Sequence, residues 1–225
     1  MTVAYVLCDP MRWGKADISM SVEENTRVIS KNRRYYTRDL FGKFTTFSED
    51  VVFPDPQNPD KHITKGTFVF DRGDSVACVL YNKQQEVFLF TQQFRYPVYL
   101  TDNKLSVLEL LAGSIEDMSP EETMRQEILE EAGYNVEKLI YLFSFHVSPG
   151  GSTERIHLYL AEYSDKMKVS PGGGIEDHGE SIVTVEYSLE DALKYMFETP
   201  DAKTLIGMYY VSMYIANAIE DGDLK

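Results

Sequence analysis

The stretch from Ser119 to Gly133 restricts the architecture of this chain more than any other, because both ends of a helix are written into it. Ser119 is a helix cap, Pro120 suits the first helical position, and Glu122 stands three residues after the cap to complete a capping box. Gly133 is a natural residue for the position just past the end. The spacing therefore predicts a helix over residues 120–132. Strand-like apolar runs surround it: 76–80 and 87–90, joined by the polar turn Asn82-Lys83-Gln84-Gln85, and 105–112 before the helix. Runs at 138–145, 156–163 and 182–187 follow, and two further helices are predicted at 189–198 and 204–218. This order predicts an α/β fold with a mixed sheet. A chain of 225 residues has room for one such core and a small appendage.

The appendage is the N-terminal portion. From Val28 to about Phe70 there are short aromatic and β-branched runs, broken by a Pro/Asp/Asn cluster at Pro54 to Asp60. They predict short antiparallel strands and a loop, too small for a core of their own, packed on the main domain or on a second subunit. The expected division is a β-rich module over residues 1–72 and a catalytic domain over 73–225. Ser170-Pro171-Gly172-Gly173-Gly174 marks a flexible loop within the latter.

On the predicted helix, Glu127, Glu130 and Glu131 share one stripe, while Ile128, Leu129 and Ala132 fall on another that is expected to face the core. Like charges at i, i+3 and i+4 disfavour a helix by a few tenths of a kcal/mol per pair, so three converging carboxylates invite a cation. Hard oxygen donors favour Mg²⁺ or Mn²⁺. On spacing alone, a solvated acidic face is the plainer account.

Composition narrows the partners. A formal charge of −14 repels phosphate backbones, which argues against nucleic acid. It also repels a small anionic substrate, which would need divalent cations or a few placed arginines. No run of about eighteen apolar residues and no secretory leader are present, so no membrane association and a cytoplasmic location are expected. Cys8 and Cys78 lack CxxC spacing and neighbouring histidines, and are read as reduced thiols.

The segment 112–134 resembles the signature of the Nudix hydrolases, G-x5-E-x7-R-E-U-x-E-E-x-G-U. Gly113, Glu127, Ile128, Glu130, Glu131, Gly133 and Tyr134 match it. The loop after Gly113 is one residue shorter than the pattern, Gln126 occupies the arginine position, and Met118 or Ser119 falls where the first glutamate belongs. Flanking segments resemble the ADP-ribose and nucleotide-sugar pyrophosphatase branch: Gln93-Phe94-Arg95, Glu109-Leu110-Leu111-Ala112-Gly113, the run from Ser148 to Arg155, Gly172-Gly173-Gly174-Ile175-Glu176, and Lys203-Thr204-Leu205. The nearest likeness is to GDP-mannose pyrophosphatases, and it covers roughly residue 75 to the C-terminus.

That resemblance implies a Nudix-type α/β/α sandwich and hydrolysis of a nucleoside diphosphate sugar, with ADP-ribose or catalytically silent nucleotide binding as alternatives. It implies that Glu127, Glu131 and Glu130 hold Mg²⁺ or Mn²⁺, with the Ala112 carbonyl and Glu180 as further ligands. Glu130 and Glu131 are counted with the catalytic groups, and a homodimer is implied as well. The general base is left open among Glu176, Asp177 and His178; a histidine titrates near neutral pH, though adjacent metal discourages protonation. Arg95 and Arg155 are candidates for the substrate phosphates, since a guanidinium grips two oxygens at once, and ordinary surface ion pairing is the alternative. Glu109 is expected to touch the substrate or a metal, or else to be a solvated strand-end carboxylate. His62, His146 and His157 are read as structural, and the stripe Tyr209, Tyr210, Met213 and Tyr214 as core or subunit packing.

Overall fold

A computed structural model describes residues 28–38, 44–174 and 181–220. The chain divides into two compact units.

The first unit holds a three-stranded antiparallel sheet in the order β1 (Ile29–Arg38), β2 (Thr45–Asp55), β3 (Asn58–Asp71). Its strands are 10, 11 and 14 residues long, longer than the short runs predicted. The Pro54–Asp60 cluster was expected to be a loop, yet Pro54 pairs with His62 and Asp55 with Asn58. A tight turn there suffices, with Asp55 Oδ1 accepting from the Gln57 amide at 2.8 Å. The hairpin over 146–155 belongs to this unit as well: Phe70 bonds Gly151 and Thr153 through the backbone.

The second unit is built on β4 (Ser75–Asn82), which is buried at all eight positions. Such a strand must be covered on both faces. It runs parallel to β9 (Arg155–Glu162) and antiparallel to β5 (Val87–Gln93), and β10 (Val183–Ser188) and β8 (Leu139–His146) complete the order β10-β5-β4-β9-β8. Alternation along β4 sorts the two cores. Ala77, Val79 and Tyr81 meet Ala192, Met196, Met208 and Val211 from α3 (Leu189–Tyr195), the turn after it and α4 (Ala202–Glu220). Val76, Cys78 and Leu80 meet Met124, Ile128 and Ala132 on the other face. Helices on both faces of a mixed sheet make the expected α/β/α sandwich.

Two local features depart from the sequence reading. The single strand expected over 105–112 is split into β6 (Val107–Glu109), paired with β5, and β7 (Leu111–Ser114), paired with β4. The Leu110 amide between them goes to Thr204 Oγ1 at 2.8 Å instead of to a sheet partner, so the chain steps from one neighbour to the next. A helix, α1 (Tyr96–Asp102), follows Arg95. Its aromatic and β-branched composition gives no helical periodicity, and Pro97 in its first turn with Asn103 in the left-handed conformation at its end were the available signals.

Candidate active site

The acidic helix forms as its sequence demands. In α2 (Pro120–Glu127) the Glu122 amide donates to Ser119 Oγ at 3.3 Å, and the Ser119 amide donates to Glu122 Oε2 at 3.0 Å. Beyond Glu127 the chain continues as a π-turn, Ile128–Ala132, closed by Gly133 at φ 73°. π-Turns inside helices are rare and concentrate at functional sites. The glycine run satisfies the carbonyls that end this helix: Gly174 donates to the Glu130 carbonyl at 3.1 Å, Gly173 to that of Glu131 at 2.8 Å, and Lys168 Nζ to that of Ala132 at 2.7 Å. Gly172 has φ 73° and lies so close to Ala132 that a Cβ would collide with its backbone.

The line Met124, Ile128, Ala132, at i, i+4 and i+8, sets the face turned to the sheet. Leu129 falls outside that line and is 39% exposed, which corrects its expected place in the core. Glu131 lies one position before Ala132 and is drawn in to 4% exposure. Glu127 lies over β7, where a Cβ at residue 113 would overlap its carboxylate; only glycine admits this approach. Pairing of Ala77 with Ala112 and of Val76 with Gly113 seats that stretch beside the central strand. Glu130 turns along the helix and accepts from Gln126 Nε2 at 2.6 Å. Among the described residues no three His, Cys, Asp or Glu side chains form a cage for an ion. Helical phase separates Glu130 from the inward-turned Glu131. The donor chemistry fits a hard divalent cation all the same, with a buried carboxylate, a second one packed on a glycine, and oxygen donors throughout.

Arg95 and Glu109 meet. Arg95 Nε and Nη2 donate to Glu109 Oε1 and Oε2 at 2.6 and 3.2 Å, and Lys203 Nζ donates to Oε2 from the start of α4. Lys203 also pairs with Asp201 at 3.0 Å, and Asp201 caps α4 by accepting from the Thr204 amide and hydroxyl at 3.0 and 2.6 Å. Glu109 is 3% exposed, so its reading as a solvated strand-end carboxylate is corrected. Burial by itself would raise the Glu109 carboxyl, but Lys203 and then Arg95 outweigh it and hold it below the usual carboxylate range. For Arg95, burial works against the charge, while Glu109 and then the charges of Glu131 and Asp201 raise it overall. The guanidinium thus sits within electrostatic reach of the buried helix carboxylate.

Arg155 lies in the other unit, where its Nη2 pairs with Asp74 at 2.5 Å. Glu176, Asp177, His178 and Glu180 lie outside the described residues. His146 Nδ1 and the Glu154 carbonyl are 3.3 Å apart, His157 stands beside the Tyr141 ring, and His62 is exposed on β3. Cys78 is a free thiol inside the sheet, pushed up by burial, and Cys8 lies outside the described residues. In α4 Tyr210 packs on Phe143, whereas Tyr209 and Met213 are exposed, and the Tyr214 side chain is outside the description. Sequence reasoning missed Lys203 and Asp201 as members of the charge cluster. An Asp-x-Lys-Thr run at a helix start, with the aspartate at the cap, was the signal that could have found them.

A family profile for the NUDIX domain matches residues 71–206. The chain is 39% identical over 139 residues to a GDP-mannose pyrophosphatase of Pectobacterium atrosepticum, covering 61% of this chain and 72% of that protein. It is 37% identical over 146 residues to the GDP-mannose pyrophosphatase of Citrobacter koseri, covering 64% and 75%. The chain belongs to the NUDIX family, a Nudix hydrolase related to these pyrophosphatases. Its fold is also similar to the crystal structure of an "ADP compounds hydrolase", with a TM-score of 0.61 at 16% identity, covering 85% of this chain and 95% of that one.

Proposed function

We propose that this protein hydrolyses the pyrophosphate bond of a nucleoside diphosphate sugar, GDP-mannose or a UDP-sugar foremost, to a nucleoside monophosphate and a sugar phosphate. The observation that carries the reading is the 37–39% identity to GDP-mannose pyrophosphatases over roughly three quarters of their length. Water oxygen forms a bond to one phosphorus while the bridging phosphorus–oxygen bond breaks, and the bridging oxygen leaves with the other phosphate. Glu127, Glu130, Glu131, the Ala112 carbonyl and Glu180 would hold divalent metal, Mg²⁺ foremost, which when bound neutralises the diphosphate and activates water. Arg95 orients a phosphate, and its buried partners keep it from moving during the reaction. Proton acceptance falls to Glu176, Asp177 or His178. Arg155 is the second phosphate cation in this reading.

The same reading takes the protein as a cytoplasmic homodimer, with residues 1–72 as the dimerisation module and no nucleic-acid partner. The acid excess supports the last point, and among the described residues no helix is long and apolar enough to cross a membrane. The test is incubation with UDP-, GDP- and ADP-linked sugars and Mg²⁺, with products resolved by chromatography. Nucleoside monophosphate release from a GDP- or UDP-sugar is expected. Preference for ADP-ribose would reassign the substrate, and binding with no release from any member would overturn the hydrolytic reading.

A further inference from the structure

We propose that Glu109 is a positioning residue that fixes the phosphate-facing edge of Arg95, not a ligand of substrate or metal. This rests on the functional reading above only in naming a diphosphate as the anion. Both Glu109 oxygens are already engaged, Oε1 with Arg95 Nε and Oε2 with Arg95 Nη2 and Lys203 Nζ, and the side chain is buried. A buried carboxylate that already takes three hydrogen bonds from two cationic side chains is occupied by them, and its charge would repel an arriving phosphate.

What it does instead follows from the fork geometry of arginine. Glu109 grips the Nε–Nη2 edge, and neither of its hydrogen bonds uses Nη1. The Arg95 side chain remains 42% exposed, and the grip on two of its nitrogens sets the plane of the guanidinium. Lys203, nearly buried and tied to Asp201 as well, keeps Glu109 ionised and stationary inside the fold. The cluster sums to zero charge over Arg95, Lys203, Glu109 and Asp201, so removal of Glu109 does not starve the site of positive charge. Its loss frees the direction of the arginine, and that is the effect to look for.

The experiment is a double-mutant cycle between Glu109→Gln and Arg95→Ala, read as the Kd for GDP-mannose and for inorganic pyrophosphate by calorimetry, beside kcat and KM. With Arg95 present, Glu109→Gln should weaken both ligands about tenfold and raise KM alike, with kcat changed less than about threefold. In the Arg95→Ala background the same substitution should change Kd less than about twofold, because the group it acts through is gone. Equal losses in both backgrounds, or none with Arg95 present, would overturn the positioning role. Glu109→Asp runs through the same cycle should the buried lysine prevent the glutamine variant from folding. Wild-type protein that binds pyrophosphate but hydrolyses no sugar nucleotide contradicts the functional reading alone, and one that binds neither contradicts both.

Discussion

Gly113 shows how one missing side chain can decide a site. Its backbone is ordinary, and what requires glycine is the Glu127 carboxylate lying where a Cβ would be. Gly113→Ala should swing Glu127 off β7 and lower kcat about tenfold or more, with a melting midpoint within a few degrees of wild type, as read by steady-state rates and thermal melts. Wild-type turnover would show that the placement of Glu127 is immaterial. Glu109 makes a second, acid-side prediction. Its folded pKa is depressed, so the stability it contributes is complete above the usual carboxylate value of about 4.3 and is lost as pH falls through the lower folded value. Wild type should lose more stability than Glu109→Gln in urea titrations between about pH 5 and pH 3. Parallel losses would mean that other carboxylates govern acid unfolding.

At the scale of elements, the acidic helix was readable because its caps are local chemistry. Ser119, Pro120 and Glu122 act within four residues of one another, and no distant contact is needed to place the start. Ser119→Ala should cost about 1 kcal/mol, a drop of roughly 2–4 °C in melting midpoint for a chain of this size, checked by calorimetry. Gly133→Ala should cost more, because φ 73° strains an L side chain and a Cβ there would collide with the Ser170 carbonyl. The inward turn of Glu131 was not readable by grouping charges. It follows from the direction that Met124, Ile128 and Ala132 jointly set, and from a π-turn whose partners, Gly173, Gly174 and Lys168, lie some forty residues downstream. The break at Leu110 escaped for the same reason, since the hydroxyl that takes its amide stands 94 residues away.

Over the whole molecule, the strand and helix runs that make a mixed α/β fold were visible in the sequence and the sandwich was implied by the family resemblance, whereas the strand order and the burial of β4 on both faces needed the folded chain. The ion cluster was not visible in the sequence, because Arg95, Glu109 and Lys203 come from three elements that only the folded sheet brings together. Grouping of the 146–155 hairpin with the N-terminal sheet likewise depends on pairing to Phe70 across about eighty residues. A chain with net charge −14 that acts on a diphosphate has to overcome repulsion, and divalent metal on the helix carboxylates beside a pinned arginine is the device proposed for it. Dialysis against a chelator should therefore abolish turnover, and added Mg²⁺ should restore it; activity that survives chelation would remove metal from the account. The most direct measurement follows phosphorus resonances while GDP-mannose is incubated with Mg²⁺ and either wild type or Glu131→Gln, whose side chains have nearly the same shape. The account predicts GMP and mannose 1-phosphate from wild type, with a rate about a hundredfold or more lower in the variant. An intact sugar nucleotide with wild type, or equal rates from the two proteins, would contradict it.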